Sequence, residues 1–319
     1  MDEPTVVDVF AGCGGFGFGF AESGYRLAHA VEAFRTSLET YVANVPLGEW
    51  HLGDVRKVDL EKLGRPDVLI GGPPCEAFTV ANADRRANPL SRLYDDPVGS
   101  LTLQFIKVAK ALQPRVFVME NVPPIMEGPL EAELRMIFAR NGYPQVFFNR
   151  VLAEDCGTPS HRDRVFVSNV RLDPPRAGRH VTVEEAIADL QPLDVDVPNH
   201  VPPRLGKKQQ ALIDGLAEGR SGYHYRAGDG RVHHTWTRLP ADRLAPTIKG
   251  LGRFVHPVED RLLTPREHAR LMGYPDDYVF HGSVNEQYNM IGESVPPPVS
   301  LALAKEVRRA LDAGAPQGS

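Results

Sequence analysis

The sequence predicts a doubly wound α/β protein: a mostly parallel sheet with helices on both faces, and a second, smaller domain late in the chain. Three observations predict it. Short apolar runs alternate with helical spacing through the N-terminal half, a glycine-rich turn follows the first run, and the texture turns proline-rich after about residue 172. Residues 6–10 read as the first strand, 27–32 as the second and 67–70 as a later one. Residues 115–120, 145–152 and 164–170 complete the set, while 101–112 and 130–141 carry helical spacing.

With 319 residues and 42% hydrophobic content, the chain can bury a full core. No apolar run approaches the roughly 18 residues of a membrane span. The Met-Asp-Glu start lacks the basic stretch of a signal peptide, so cytoplasmic residence is expected. Cys13, Cys75 and Cys156 form an odd set without paired metal-ligand spacing. Neither a disulfide framework nor a metal site is expected, and at least one thiol should be free.

Pro174, Pro175, Pro192, Pro198, Pro202 and Pro203 punctuate the chain around one short helical candidate, 183–190, and the domain boundary is placed here. The window 204–253 then holds ten Lys/Arg against four Asp/Glu, although the whole chain carries −5. Tyr223, Tyr225, Trp236 and three histidines interleave with those charges. This reversal suggests a lobe facing a polyanion, with Arg226, Arg231, Arg238, Arg243, Lys249 and Arg253 as candidate contacts; a solvated basic loop is the bland alternative. Next, Thr264-Pro-Arg-Glu267 forms a capping box that opens a helix ended by Gly273. Leu301, Ala304, Val307 and Leu311 share one stripe of a C-terminal helix, which should pack back on the main lobe.

The first strand runs into Phe10-Ala-Gly-Cys-Gly-Gly-Phe-Gly17, where amides without β-carbons nearby can approach a ligand closely. Gly12, Gly14 and Gly17 match the dinucleotide fingerprint. Glu32 lies 20 positions after Gly12 and suits a carboxylate that receives two ribose hydroxyls. Asp54 adds another strand-end carboxylate, suited to an adenine amino group. Either acid could instead be a helix cap. Up to this point a nicotinamide enzyme and a methyl-transferring enzyme both fit.

Asp67-Val-Leu-Ile-Gly-Gly-Pro-Pro-Cys75 delivers a thiol to the carboxyl end of a buried-looking strand, and two prolines stiffen the chain just before the sulfur. A buried apolar cysteine is the plain alternative. Glu120 closes another strand of the same sheet, where poor solvation would favour its protonated, donating form. Strand alternation after Ser160 would point Arg162 and Arg164 to one side. Thiol, carboxylic acid and paired guanidiniums suit the addition of a nucleophile to an electron-poor ring. A hydride-transfer enzyme has no evident use for them.

From Val6 to about Pro297 the chain resembles the cytosine carbon-5 DNA methyltransferases. Asp8-Val-Phe-Ala-Gly-Cys-Gly-Gly is similar to the family's methyl-donor loop, Gly-Gly-Pro-Pro-Cys75 to its nucleophile motif and Glu120-Asn-Val to its acid motif. The Arg162/Arg164 pair, Ala245-Pro-Thr-Ile248, Leu271-Met-Gly-Tyr-Pro-Asp-Asp277 and Gly292-Glu-Ser-Val-Pro296 follow in family order. The resemblance implies a class I, Rossmann-like methyltransferase domain over 1–171 and 285–319, with a target-recognition domain over 172–284. It implies a catalytic set of Cys75, Glu120, Arg162 and Arg164. Cys75 would attack carbon 6 of cytosine, Glu120 would act on ring N3, and Arg164 would hold the base O2 with Arg162 supporting the same wall. S-adenosylmethionine is the implied donor, bound by Phe10, Ala11, Gly12, Gly14, Gly15, Glu32, Ala33, Asp54, Val55, Pro74, Leu101, Glu293, Ser294 and Val295.

Double-stranded DNA is the implied partner, and its target base must leave the stack. The loop after Cys75 is then a candidate lid, with Arg85 and Arg86 on the nucleic acid and Arg92 beside them. A cognate restriction endonuclease and a monomeric state are expected. A family member acting on tRNA would carry the same catalytic set, and methylation of duplex DNA against tRNA separates the two. Three positions depart from the family pattern. Glu76 replaces the usual glutamine after the cysteine, Glu293 replaces the asparagine of Gly-Asn, and Ser160 replaces a glutamine. Ordinary methyl transfer with altered donor contacts is expected, and transfer of a modified group is the alternative.

Overall fold

Unbroken apolar runs flanked by helical segments must be sealed on both faces, and those runs sit at the centre of the sheet. The computed structural model describes residues 3–80, 82, 84–226, 232–250 and 252–314, with backbone alone for Tyr225, Arg226 and His233. Contacts divide the chain into two units. Met1–Leu152, Asp163–Pro175 and Val299–Ser319 form the first; Ala153–Arg162 and Arg176–Pro298 form the second. Among the described residues no helix is long and apolar enough to cross a membrane.

The first unit carries seven strands: β1 (Thr5–Val9), β2 (Arg26–Glu32), β3 (Leu47–Leu52), β4 (Val68–Gly71), β5 (Val116–Asn121), β6 (Phe147–Leu152) and β7 (Asp163–Ser168). Their order is β3-β2-β1-β4-β5-β7-β6. Neighbours from β3 to β5 are parallel, and β7 runs antiparallel between β5 and β6. The doubly wound, mostly parallel sheet read from the sequence is therefore present. Every residue of β4 and β5 is buried. The helices α1 (Gly15–Glu22), α2 (Arg35–Asn44), α3 (Pro89–Tyr94), α4 (Leu101–Leu112) and α5 (Leu130–Arg140) belong to this unit. On α4, Thr102, Phe105, Ile106, Ala109 and Leu112 recur at helical spacing and are buried. Phe105 and Phe138 both pack on Phe117 of β5, and each such side chain contributes about 1.5–3 kcal/mol.

The chain builds β2 and β3 on one side of β1, then returns to build β4 and β5 on the other. Strand order thus reverses between β1 and β4, and ligands bind beyond the carboxyl ends of strands at such a switch point. The loops carrying Gly12 and Cys75 start from these two adjacent strand ends.

In the second unit, α6 (Val183–Ile187) and α7 (Lys207–Gln210) precede a small sheet of β8 (Ser221–Arg226), β9 (Val232–Arg238) and β10 (Phe254–Val255), in the order β10-β9-β8. Then follow α8 (Pro265–Leu271), α9 (Val284–Glu293) and α10 (Pro297–Asp312), which enters the first unit at Val299. The expected capping box is present: Thr264 Oγ1 accepts from Glu267 N at 3.1 Å, and Thr264 N donates to Glu267 Oε2 at 2.7 Å. Ile213, Val255 and Leu262 make only a small apolar cluster. Buried guanidiniums tie further segments of this unit together. Arg266, fully buried, donates to the carbonyls of Pro198, Pro275 and Tyr278, and burial pulls its pKa down to about 10.

Candidate active site

After β1 the chain turns sharply, with Phe10 at φ 56°, Gly12 at 55° and Gly14 at 95° before α1 begins. Such left-handed angles cost a non-glycine residue energy, so Phe10 is held there by its surroundings: its ring packs against the core of the first unit. Glu32, at the end of β2, braces the loop. Its Oε2 accepts from Gly12 N and its Oε1 from Phe34 N, each at 2.8 Å. Burial raises its pKa, and the amides of Phe34 and Gly12 oppose that rise. Each carboxylate oxygen keeps a second lone pair, so the group can still accept ribose hydroxyls. A Cβ built on Gly12 would meet nothing within 4 Å, so the loop is open on that side. Ala11 is buried in the loop and Gly15 at the start of α1, and Ala33 is exposed beside Phe34, itself 73% exposed. Asp54 takes the alternative role: it caps the turn at Val55 by accepting from Arg56 N, and its carboxylate pairs with the Arg56 guanidinium, which holds its pKa at about 2.

Past β4, close approach dictates glycine. A Cβ on Gly72 would lie 3.3 Å from Glu120 Oε2. Asn121 Nδ2 donates to the Pro73 carbonyl at 3.3 Å and so ties the loop that carries Cys75 to β5. Pro74 and Cys75 are half-buried, as is Leu101 at the start of α4. Cys75 packs on the same core as Phe10 and forms no disulfide, and its carbonyl accepts from Phe78 N and Thr79 N at 2.9 Å. Glu76 is exposed. Glu120, 8% exposed, receives Arg164 Nε on Oε1 at 3.0 Å. The sheet therefore brings thiol, carboxylate and one guanidinium together at neighbouring strand ends. Sequence reasoning quoted Gly72 and Asn121 within motifs without giving them roles; their signal is contact, which spacing does not carry.

Arg162 departs from expectation. β7 begins at Asp163, so strand alternation does not reach Arg162, which is 2% exposed in the second unit. Its NH1 donates to the Ile248 and Gly292 carbonyls at 3.1 and 2.9 Å, and its NH2 to Ser294 at 2.8 Å. Arg162 is thus a positioning residue that clamps the segments holding Ile248 and Gly292–Val295. Gly292 packs backbone to backbone on Lys249 and Gly250, and Glu293, itself exposed, lies beside Gly250.

Several basic residues expected on nucleic acid are structural. Arg238, 5% exposed, donates to the carbonyls of Ile213, Leu216, His256 and Glu259 and pairs with Asp260. Arg253 stacks on Tyr288 at 3.8 Å and bonds the Gly250 carbonyl at 2.7 Å. Arg85 and Arg92 both reach Glu127, at 3.0 and 2.6 Å, which anchors the loop after Cys75. Arg86 is exposed and bonds the Asp95 carbonyl at 3.1 Å. Arg243 and Lys249 are exposed. Arg231 and the side chain of Arg226 lie outside the described residues.

The family model for C-5 cytosine-specific DNA methylases matches residues 4–210 and 215–309. The chain belongs to this family. A "Putative type II methyltransferase" of Methanocaldococcus jannaschii is 44% identical, with 96% of this chain and 100% of the relative covered. A type II methyltransferase of Herpetosiphon aurantiacus is 30% identical over 96% of this chain and 95% of its own. A "putative DNA modification methyltransferase encoded within prophage" of E. coli superposes with a TM-score of 0.76 at 25% identity, over 97% of this chain and 100% of that one. A methyltransferase of Entamoeba histolytica shares the fold, with a TM-score of 0.65 at 14% identity, over 98% and 99%. The enzyme is a C-5 cytosine-specific DNA methyltransferase.

Proposed function

We propose that this methyltransferase uses S-adenosylmethionine to methylate carbon 5 of a flipped-out cytosine in double-stranded DNA, with Cys75 as the nucleophile. The observation that carries the reading is the placement of the Cys75 loop after β4, flanked by the glycine loop of β1 and by Glu120 at the end of β5. Cys75 forms a bond from Sγ to carbon 6 of the base. Glu120 hydrogen-bonds or protonates N3, so the electron pair moves to carbon 5. When bound, the donor supplies an electrophilic methyl on a sulfonium. The carbon-5 pair would take that methyl, leaving the donor's sulfur as a neutral thioether; loss of the carbon-5 proton to solvent and elimination of Cys75 then release the product. Glu32 and the open face at Gly12 would hold the donor's ribose, and Phe34, beside Glu32, offers an exposed ring to its adenine.

Arg164 serves the reaction by fixing Glu120: its hold on Oε1 leaves Oε2 on the side of Gly72 and the nucleophile loop. A hydrogen bond from Arg164 to the base O2 completes its proposed role. Extrusion of the base costs a few kcal/mol, which contacts to the DNA must offset. Target recognition is assigned to the second unit, where Tyr223, His224, Arg243 and Lys249 are exposed; Arg226 and Arg231 join them on sequence alone. The names of the relatives support a restriction-modification setting, with a cognate endonuclease as partner. A cytoplasmic monomer completes the reading.

The test is label transfer from S-adenosylmethionine to duplex DNA and, separately, to bulk tRNA, with nucleoside mass spectrometry of both. The reading expects 5-methyldeoxycytidine in DNA. Label confined to RNA, or an adduct heavier than one methyl, contradicts it.

A further inference from the structure

We propose that His29, Glu49 and His51 form a binding site for one zinc-class divalent cation at the β2–β3 edge of the sheet. The parallel register pairs His29 with Glu49 and Val31 with His51, which places all three side chains on one face. Their ligand atoms lie within 4.8 Å of one another. His51 Nε2 is 3.4 Å from His29 Nδ1, and His29 Nδ1 is 3.8 Å from Glu49 Oε2. The two rings stack with 27° between their planes.

These distances discriminate between occupants. A tetrahedral ion with bonds of about 2.0–2.1 Å separates its ligands by roughly 3.3–3.4 Å, whereas right-angled octahedral ligands at that bond length sit only about 2.9 Å apart. The 3.4 Å between the two imidazole nitrogens matches the tetrahedron, while Glu49, 3.8 Å from His29 Nδ1, must swing inward to join the ion. His29 Nδ1 faces both an imidazole nitrogen and a carboxylate. One proton on that nitrogen satisfies at most one of them at a time, while a cation satisfies all three groups at once. Two imidazoles and a carboxylate favour zinc and its transition-metal neighbours over magnesium or calcium. Glu49 is 71% exposed, so water can fill the fourth position.

The ion would fasten the edge strand β3 to β2. From the end of β3 the chain passes to Gly53, whose N–H donates to the Glu32 carbonyl at 2.8 Å. The site therefore braces the strand end that presents Glu32, apart from the Cys75 chemistry, and stands or falls independently of it.

The experiment strips the full-length protein with a chelator and titrates it with Zn²⁺ by calorimetry and with Co²⁺ by visible absorption. Expected are one equivalent of Zn²⁺, an intense tetrahedral Co²⁺ band, and a rise in melting temperature of about 4 °C at a hundredfold excess over Kd. His51→Ala should weaken binding about 100-fold. Glu49→Gln, a conservative change at an exposed side chain, should weaken it about 10-fold while the metal-free melting temperature stays at the wild-type value. Absence of stoichiometric binding, a weak octahedral Co²⁺ spectrum, or unchanged affinity in both variants overturns the proposal.

Discussion

Two adjacent glycines in the nucleophile motif should respond to alanine in opposite ways. At Gly72 the new Cβ would lie 3.3 Å from Glu120 Oε2 and 3.9 Å from the Cβ of Glu120, so the carboxylate must yield by a few tenths of an ångström. A misplacement of 1 Å costs about 100-fold in rate, so this shift should slow methyl transfer by roughly 5–10-fold. The backbone of Gly72 is not in the left-handed region, so alanine fits it without strain. Lower entropy of the unfolded chain should then add about 0.4–1 kcal/mol of stability. At Gly71 the new Cβ would lie 2.3 Å from the Val9 carbonyl oxygen, inside the β1–β4 pairing, and there the sheet itself must move. The assay is single-turnover methyl transfer with saturating DNA and donor, beside urea unfolding. Gly72→Ala should be slow and stable, and Gly71→Ala unstable. A Gly72→Ala enzyme with the wild-type rate constant would refute the packing of Glu120 against this loop.

Asp8 is buried, desolvation raises its pKa well above the ordinary value despite the Tyr41 hydrogen bond, and nearby Glu32 adds to the rise. A raised folded pKa contributes stability that is complete below the unfolded value and is lost as pH rises through the folded value. Asp8→Asn should therefore gain stability relative to wild type as pH increases; urea midpoints across a pH series check this, and parallel curves contradict it. Arg238→Met strands the carbonyls of Ile213, Leu216, His256 and Glu259 and should cost at least about 3 kcal/mol, seen as earlier melting of the protein. A stable variant with a shallower salt dependence of DNA binding would instead return Arg238 to the nucleic-acid face. Glu127→Gln releases Arg85 and Arg92 but, at 43% side-chain exposure, should cost less than about 1 kcal/mol. Its signature is faster tryptic cleavage in the loop after Cys75, and an unchanged cleavage rate argues against the anchor.

What the sequence revealed follows from what it encodes. Fully buried strands announce themselves as apolar runs, and β4 and β5 were legible for that reason. The edge strand β3 was not, because Leu-Gly-Glu-Trp-His-Leu is exposed along most of its length and lacks a clean alternation. The Thr264 capping box was legible because its two partners are three residues apart. Guanidiniums were the least legible groups. Arg238 and Arg253 sit in a basic window, yet Arg238 is held by carbonyls and Arg253 by the Tyr288 ring, all from other segments. Arg162 and Arg164 look like a strand pair, but the strand starts between them. Cys75, Glu120 and Glu32 were legible as candidates because strand ends are where a doubly wound sheet presents side chains. The local supports, Asn121 on the Pro73 carbonyl and Gly72 against Glu120, emerge only from contact.

The most direct measurement is mass spectrometry of the enzyme mixed with S-adenosylmethionine and a duplex that carries 5-fluorodeoxycytidine at the target. Fluorine at carbon 5 would have to leave as F⁺ where hydrogen leaves as H⁺, so elimination is blocked and the adduct persists. The account predicts a stable protein–DNA species whose proteolysis places the nucleotide on the peptide that contains Cys75, and none with Cys75→Ala. An adduct on another residue, or one that survives in Cys75→Ala, would contradict the account.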